Sequence, residues 1–206
     1  MTEQTHEKMK EIKQSFRLLM NGAAAQSMRE KGVDYHLNWG ASLGHLREMA
    51  AEYGKNYELA IELWKENIRE CKIMATLIMP VEKMPVEIAE LWMEQTPSQE
   101  IAELAAFHVY QYLADAPVLA YRWIASDKPL YQICGYHILS RLFMKGNEPD
   151  ERGISEFLDQ AAVALSSEHL CVRHAAYACV GRFSSLGDLE GRLVRSMLKK
   201  LDLELF

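Results

Sequence analysis

Glu94, Glu100 and Glu103 fall within one short stretch, LWMEQTPSQEIAEL at 91–104, beside Trp92. Carboxylates grouped next to an aromatic ring are the residue types that perform acid–base work or stabilise a developing positive charge. The alternative is the solvated flank of a helix, where glutamates of a first turn complement the helix dipole. On a helical wheel of about 100° per residue, Glu100 and Glu103 share an open arc with Gln99, Phe107, Tyr110 and Gln111. Ile101, Leu104, Ala105, His108 and Tyr112 make one apolar side, and Ala102, Ala106, Val109 and Leu113 a second. Glu100 and Glu103 are the weak catalytic candidates. Gln99, Glu100, Glu103, Phe107, Tyr110, Trp92 and Trp123 are the candidates for a ligand-facing surface.

The elements that must hold these residues are helices throughout. Apolar residues recur at helical spacing, and no Val/Ile/Thr-rich alternating run of strand length appears. Helices are expected near 6–20, 22–31, 41–54, 56–67, 68–79, 85–95, 97–114, 117–126, 129–145, 151–165, 168–184 and 187–203. Thr96-Pro97-Ser98-Gln99 fits a capping box with Thr96 at the N-cap, Asp127 is placed to cap the helix holding Pro129, and MKGNEPDERG at 144–153 reads as a loop. Trp64, Trp92 and Trp123 lie 28 and 31 residues apart, each ending a short helix that a longer apolar helix follows. Self-similar helix pairs at this spacing predict an all-α, HEAT-like solenoid of antiparallel pairs, with the tryptophans as wedges between layers. One domain over 1–206 is expected, with N-terminal helices in 1–35 and a capping helix in 187–206.

Composition narrows the function classes. The chain has 206 residues, 49% hydrophobic and 25% charged, with a net charge of −6. Generic nucleic-acid binders carry a basic surplus, so the total weighs against DNA. The N-terminus is too charged for a signal peptide and no apolar run reaches membrane length, which gives the expectation of a cytoplasmic protein with no membrane partner. Cys71, Cys134, Cys171 and Cys179 are scattered without a CxxC and are expected to be buried, reduced thiols. No histidine pattern fits a metal, and no nucleotide-binding or nucleophile-elbow motif occurs, so neither metal nor cofactor is expected. Between Met84 and Tyr121 there is no Lys or Arg, while Glu87, Glu90, Glu94, Glu100, Glu103 and Asp115 fall in that span. Arg173, Arg182, Arg192, Arg195, Lys199 and Lys200 gather near the C-terminus, and the four arginines are the candidate phosphate contacts.

Four stretches carry a resemblance. PVLAYRWIASDKPL at 117–130 is similar to a segment of the DNA alkylation-repair glycosylases of the AlkD type. NWGASLGHLREMA resembles that family's Gly-(Val/Ile)-x(4)-Leu-Arg motif, and AIELWKENIRECKIMATLIM its Glu-Leu-Trp, Arg-Glu helix pair. SSEHLCVRHAAYACVGRF resembles its later basic, Ala-rich helix, so the likeness spans roughly residues 30–185. The resemblance implies a HEAT-like solenoid whose concave face holds duplex DNA. It also implies a catalytic Asp in the helix matching 97–114, and that position falls on Ala102. The family's aromatic pair becomes Pro97 and Ser98, its Arg matches Ile133, and a Trp beside the damaged nucleotide matches Ala178 or Tyr177. Only a one-residue shift would bring Glu103 onto the Asp position. The expectation is therefore a repair-like solenoid without base excision, whose concave face takes a protein, a peptide or a cationic ligand. The alternatives are an active glycosylase with a displaced carboxylate and a non-catalytic DNA binder. Duplex DNA is disfavoured by the acidic strip.

Overall fold

The computed structural model describes residues 2–33 and 35–203. Residues 1 and 34 of the expected N-terminal segment, and residues 204–206 of the expected capping segment, lie outside the described residues. The helices are α1 (Glu3–Leu18), α2 (Gly22–Glu30), α3 (Leu43–Tyr53), α4 (Tyr57–Lys65), α5 (Arg69–Ile78) and α6 (Val86–Glu94). They continue as α7 (Gln99–His108), α8 (Ala116–Ile124), α9 (Pro129–Met144), α10 (Glu151–Leu165), α11 (Leu170–Ser184) and α12 (Asp188–Lys200). Short 3-10 turns occupy Val81–Lys83 and Tyr110–Tyr112. Among the described residues the only β pairing is an isolated bridge between Leu37 and Ile68. The chain divides into two compact units, Met1–Val109 and Tyr110–Phe206.

In the first unit α5 is the central element. It packs against α3, α4 and α7, while α1 packs on α4. Cys71, Ile73, Met74, Ala75 and Ile78 are buried, but so are Arg69, Glu70, Lys72 and Thr76. A helix buried on every side leaves its polar residues no water, so each must find a partner inside the protein. Lys72 donates from Nζ to the carbonyl of Trp64 at 2.6 Å and lies 4.5 Å from the centroid of that indole. It thereby satisfies a carbonyl at the end of α4, where a cation also suits the helix dipole. Burial pulls its pKa down to about 8. Trp64 and Trp92 stack face to face, 4.1 Å apart and 4° from parallel. Both are core residues, at 1% and 2% exposure.

In the second unit α8 and α9 form a close hairpin, α9 and α10 both pack on α11, and α12 lies against α10 and α11. Gly135 permits the approach: a Cβ there would sit 2.8 Å from the carbonyl oxygen of Ala120 and 2.9 Å from the backbone nitrogen of Ile124. Phe143, Phe157 and Phe183 pack together with centroids 4.8–5.3 Å apart. Trp123 is enclosed by Tyr110 and Tyr131.

Four local expectations are corrected. The helix expected over 97–114 ends at His108, because Val109 leaves the helical region at φ −127°, ψ −67° and a 3-10 turn follows. The break turns Tyr110 inward, to 0% exposure against Trp123, and Tyr112 outward, to 55%. Burying the Tyr110 ring gains roughly 4 kcal/mol from the apolar area removed from water, of which its buried hydroxyl, without a hydrogen-bond partner, returns about 1–3 kcal/mol. One or two forfeited helical hydrogen bonds are worth about 1 kcal/mol each, so the break is tolerated. The second correction is the cap of α7: Thr96 donates its hydroxyl to the carbonyl of Trp92, and Ser98 instead accepts from the Ile101 amide at 3.3 Å. The third is Asp127: α9 begins after Lys128 without a side-chain cap, and Ser126 Oγ accepts the Lys128 amide. The fourth is Cys171, which is exposed in the first turn of α11, whereas Cys71, Cys134 and Cys179 are buried. Burial raises the pKa of all three buried thiols, that of Cys179 to about 12.

His108 ends α7 with Nδ1 2.9 Å from Thr76 Oγ1. The Thr76 proton is spent on the carbonyl of Ile73, so the imidazole donates from Nδ1 and its buried Nε2 is bare. Desolvation, helped by the charges of Arg47 and Lys55, lowers its pKa to about 4. The folded value lies below the ordinary value of 6.5, so the unfolded chain binds the proton first. Stability contributed by neutral His108 is present above pH 6.5 and is lost as pH falls toward 4. We expect urea midpoints to decline across that window by more in the native protein than in His108→Gln, and parallel curves would refute the assignment.

Candidate functional site

The α7 carboxylates are positioned by an ion-pair network built around α5. Ser98 starts α7, which places Glu100 in its first turn. Arg69 starts α5 and reaches Glu100 with two bonds, Nε to Oε2 at 2.8 Å and Nη2 to Oε1 at 2.6 Å. Its Nη1 donates to the Ala41 carbonyl at 2.9 Å and to Glu70 Oε1 at 3.1 Å. Glu70, fully buried, accepts the backbone amides of Trp39 and Ala41, both at 3.2 Å. Tyr35 donates to Glu100 Oε2 at 3.0 Å, and Ser98 donates to the Tyr35 oxygen at 2.6 Å. Gly40 holds φ +72° in the middle of this segment, where a Cβ would overlap the carbonyl of Asn21.

Electrostatics follow from that arrangement. Two carboxylates share one guanidinium whose side chain is 4% exposed. Burial works against the Arg69 charge, but the bonds and charges of Glu100 and Glu70 more than offset it and raise its pKa. Burial and the neighbouring Glu100 charge raise that of Tyr35. Glu100 therefore accepts from three donors and is paired with a cation that it shares with Glu70. A carboxylate in that state is a scaffold strut and a poor base or counterion for a reacting sugar.

The other expected residues are distributed as follows. Glu94 is exposed at the end of α6. Glu103 is half-buried and accepts from Gln99 Nε2 at 2.6 Å. Phe107 is half-buried, with its ring 5.1 Å from that of His108. Gln99, Glu100, Glu103 and Phe107 are all half-buried, but so are Leu104 and His108 of the expected apolar side, and Gln111 of the expected open arc is buried. Tyr110, Trp92 and Trp123 do not join them: all three are core residues at 2% exposure or less. Ala102 and Ile133 are buried as well. Ala178 is exposed and Tyr177 half-buried on α11. Arg173 is half-buried and donates to the Ser167 carbonyl at 2.8 Å, which closes the turn before α11. Arg182, Arg192 and Arg195 are exposed. Sequence reasoning did not assign Tyr35, Arg69 or Glu70. The available signal was an Arg-Glu pair opening the mostly apolar RECKIMATLIM.

Among the described residues no group of three His, Cys, Asp or Glu is placed to hold a metal ion, and no helix is long and apolar enough to cross a membrane. The family model described as DNA alkylation repair enzyme matches residues 12–177. No curated protein sequence matches the chain. A solved structure, described as a new family of proteins related to the HEAT-like repeat DNA glycosylases with affinity for branched DNA structures, superposes with a TM-score of 0.80. Identity is 18% over 94% of this chain and 83% of that one. The fold is therefore all-α and HEAT-like, as the spacing of helix pairs predicts.

Proposed function

We propose that this chain, which belongs to the DNA alkylation repair enzyme family, binds branched DNA without excising a base. The fate of the α7 carboxylates carries the reading. Cleavage of an alkylpurine bond needs a carboxylate aimed at the positive charge that develops on the sugar. Glu100 is consumed by Arg69 and Tyr35, and the position that the resemblance gives to the catalytic Asp is the buried Ala102. Nucleic acid as ligand rests on the family, on the affinity for branched DNA in the description of the similar structure, and on the exposed cations of α11 and α12. Arg192, Arg195 and Lys199 fall within an arc of about 60° of α12 and run along roughly 10 Å of its length.

The test pairs two measurements. Methylated duplex DNA incubated with stoichiometric protein is expected to release no methylpurine. A four-way junction is expected to bind at least about tenfold tighter than linear duplex, with affinity that falls steeply with salt. Arg192→Gln with Arg195→Gln is expected to lower the salt slope by roughly two, one for each phosphate no longer neutralised. Release of methylpurine that Glu103→Gln abolishes would install Glu103 as a displaced catalytic carboxylate and end the non-excising reading. A flat salt response would end the DNA reading.

A second reading, a basic peptide or protein as ligand, is favoured by one observation. α6 presents Glu87 and Glu94 to solvent within a span that holds no Lys or Arg. Binding of a basic peptide that is lost on Glu87→Lys with Glu94→Lys, in protein that ignores junction DNA, would establish it.

A further inference from the structure

We propose that the cavity lined by α1 and the segment around Trp39 is a binding site for a phosphorylated nucleoside unit, the base against Trp39 and the phosphate among the cations of α1. It lies in the first unit and stands independently of any DNA contact by α11 and α12. His6, Lys10, Lys13 and Arg17 are spaced four, three and four residues apart, which gathers them within an arc of about 60° on one face of α1. All four line a cavity of about 340 Å³ whose opposite wall is Leu37, Trp39 and Ile68. That volume is at the lower end of small-molecule sites, the size for one nucleotide and not for an extended strand.

Charge and shape both point to this ligand class. Lys10, Lys13 and Arg17 bring three formal positive charges, and Glu66 offsets one through its 3.1 Å pair with Lys13. The surplus lies in a chain whose net charge is −6, so it is not a general property of the surface. Trp39 is the one half-exposed tryptophan; Trp64, Trp92 and Trp123 are at 2% exposure or less. Its backbone is fixed at both ends, the amide by Glu70 at 3.2 Å and the carbonyl by the Asn21 amide at 2.8 Å. The ring is therefore presented ready for stacking, at little ordering cost. Arg17 lies 6.0 Å from its centroid, the outer limit of a cation–π contact, so a phosphate can draw the guanidinium away. A planar base beside a cationic row satisfies both walls at once: stacking on an aromatic side chain contributes roughly 1–3 kcal/mol per base.

The test uses the full chain and AMP as probe, with calorimetry and tryptophan emission. Quenching reports on Trp39, because the other three indoles are enclosed. AMP is expected to bind saturably and to quench, with adenosine and inorganic phosphate each at least about tenfold weaker. Lys10→Gln with Arg17→Gln, both on the exposed face of α1, is expected to lower AMP affinity by at least about tenfold with an unchanged melting temperature. Trp39→Phe serves as the second variant: it keeps an aromatic wall, so calorimetric affinity is retained while quenching disappears. A 5′-phosphorylated single strand that binds tighter than AMP, and tighter than its 5′-hydroxyl form, identifies strand ends as the source; otherwise the source is free nucleotide. Saturable binding by neither AMP nor the phosphorylated strand overturns the proposal. So does binding that the Lys10/Arg17 variant leaves unchanged.

Discussion

Arg69→Met lowers the stability of the first unit by about 3–5 kcal/mol, the usual penalty for removing one partner of a buried ion pair. The substitution keeps an unbranched, flexible stem but strands Glu70, fully buried, and Glu100 without their cation. It also removes the donor to the Ala41 carbonyl, so the segment that carries Tyr35 and Trp39 loses an anchor. Urea denaturation followed by tryptophan emission reads the loss, since Trp64 and Trp92 stack within the same unit. Glu100→Gln alone is expected to be milder, because Glu100 is one-third exposed and Gln can still accept from the guanidinium. The double variant should fall short of the sum of the two losses by at least about 1 kcal/mol, the signature of coupled partners. A loss under about 1 kcal/mol for Arg69→Met would show that the network is dispensable, and would free Glu100 for a chemical role.

Gly135→Ala is the second large effect, and its sign separates two arguments. Helix propensity alone predicts a gain of about 1 kcal/mol for Gly to Ala inside α9. Packing predicts a loss of about 2–3 kcal/mol, because a Cβ meets the Ala120 carbonyl and the Ile124 backbone nitrogen inside 3.0 Å. Backbone atoms cannot turn aside as a side chain can, so α9 must back away from α8. Gly44→Ala in α3 is the control: its nearest neighbour would be Ser42 Oγ at 3.8 Å, and propensity should decide there. A stabilised Gly135→Ala would mean that the two helices have slack between them.

The helix pairs were legible in the sequence because apolar periodicity is a local signal with tertiary support. Every expected helix is present, with ends displaced by a few residues where caps compete. Thr96 shows why: its hydroxyl had two possible targets, the next helix or the carbonyl of Trp92, and only packing chooses. Val109 shows a second limit. Nothing local marks the break, since the gain that drives it comes from Tyr110 meeting Trp123 thirteen residues on. The site was legible in composition and illegible in charge. A tally of acids between Met84 and Tyr121 counts Glu100 as a repellent, yet its cation comes from Arg69, thirty-one residues earlier. Arg69 also pairs with Glu70, so the three groups keep one net negative charge, and what the sequence hides is where Glu100 is tied down and not the sum.

Cys171 gives the native chain a chemical address. Three of its four thiols are buried and held protonated, while Cys171 opens to solvent two residues before Arg173 on α11. A maleimide dye should therefore attach at one position without any engineered cysteine. A fluorophore there would sit on α11, where the DNA contact we propose would slow its tumbling and raise its anisotropy. The same thiol is where air oxidation would join two copies, so a preparation kept without reductant should slowly acquire a covalent dimer.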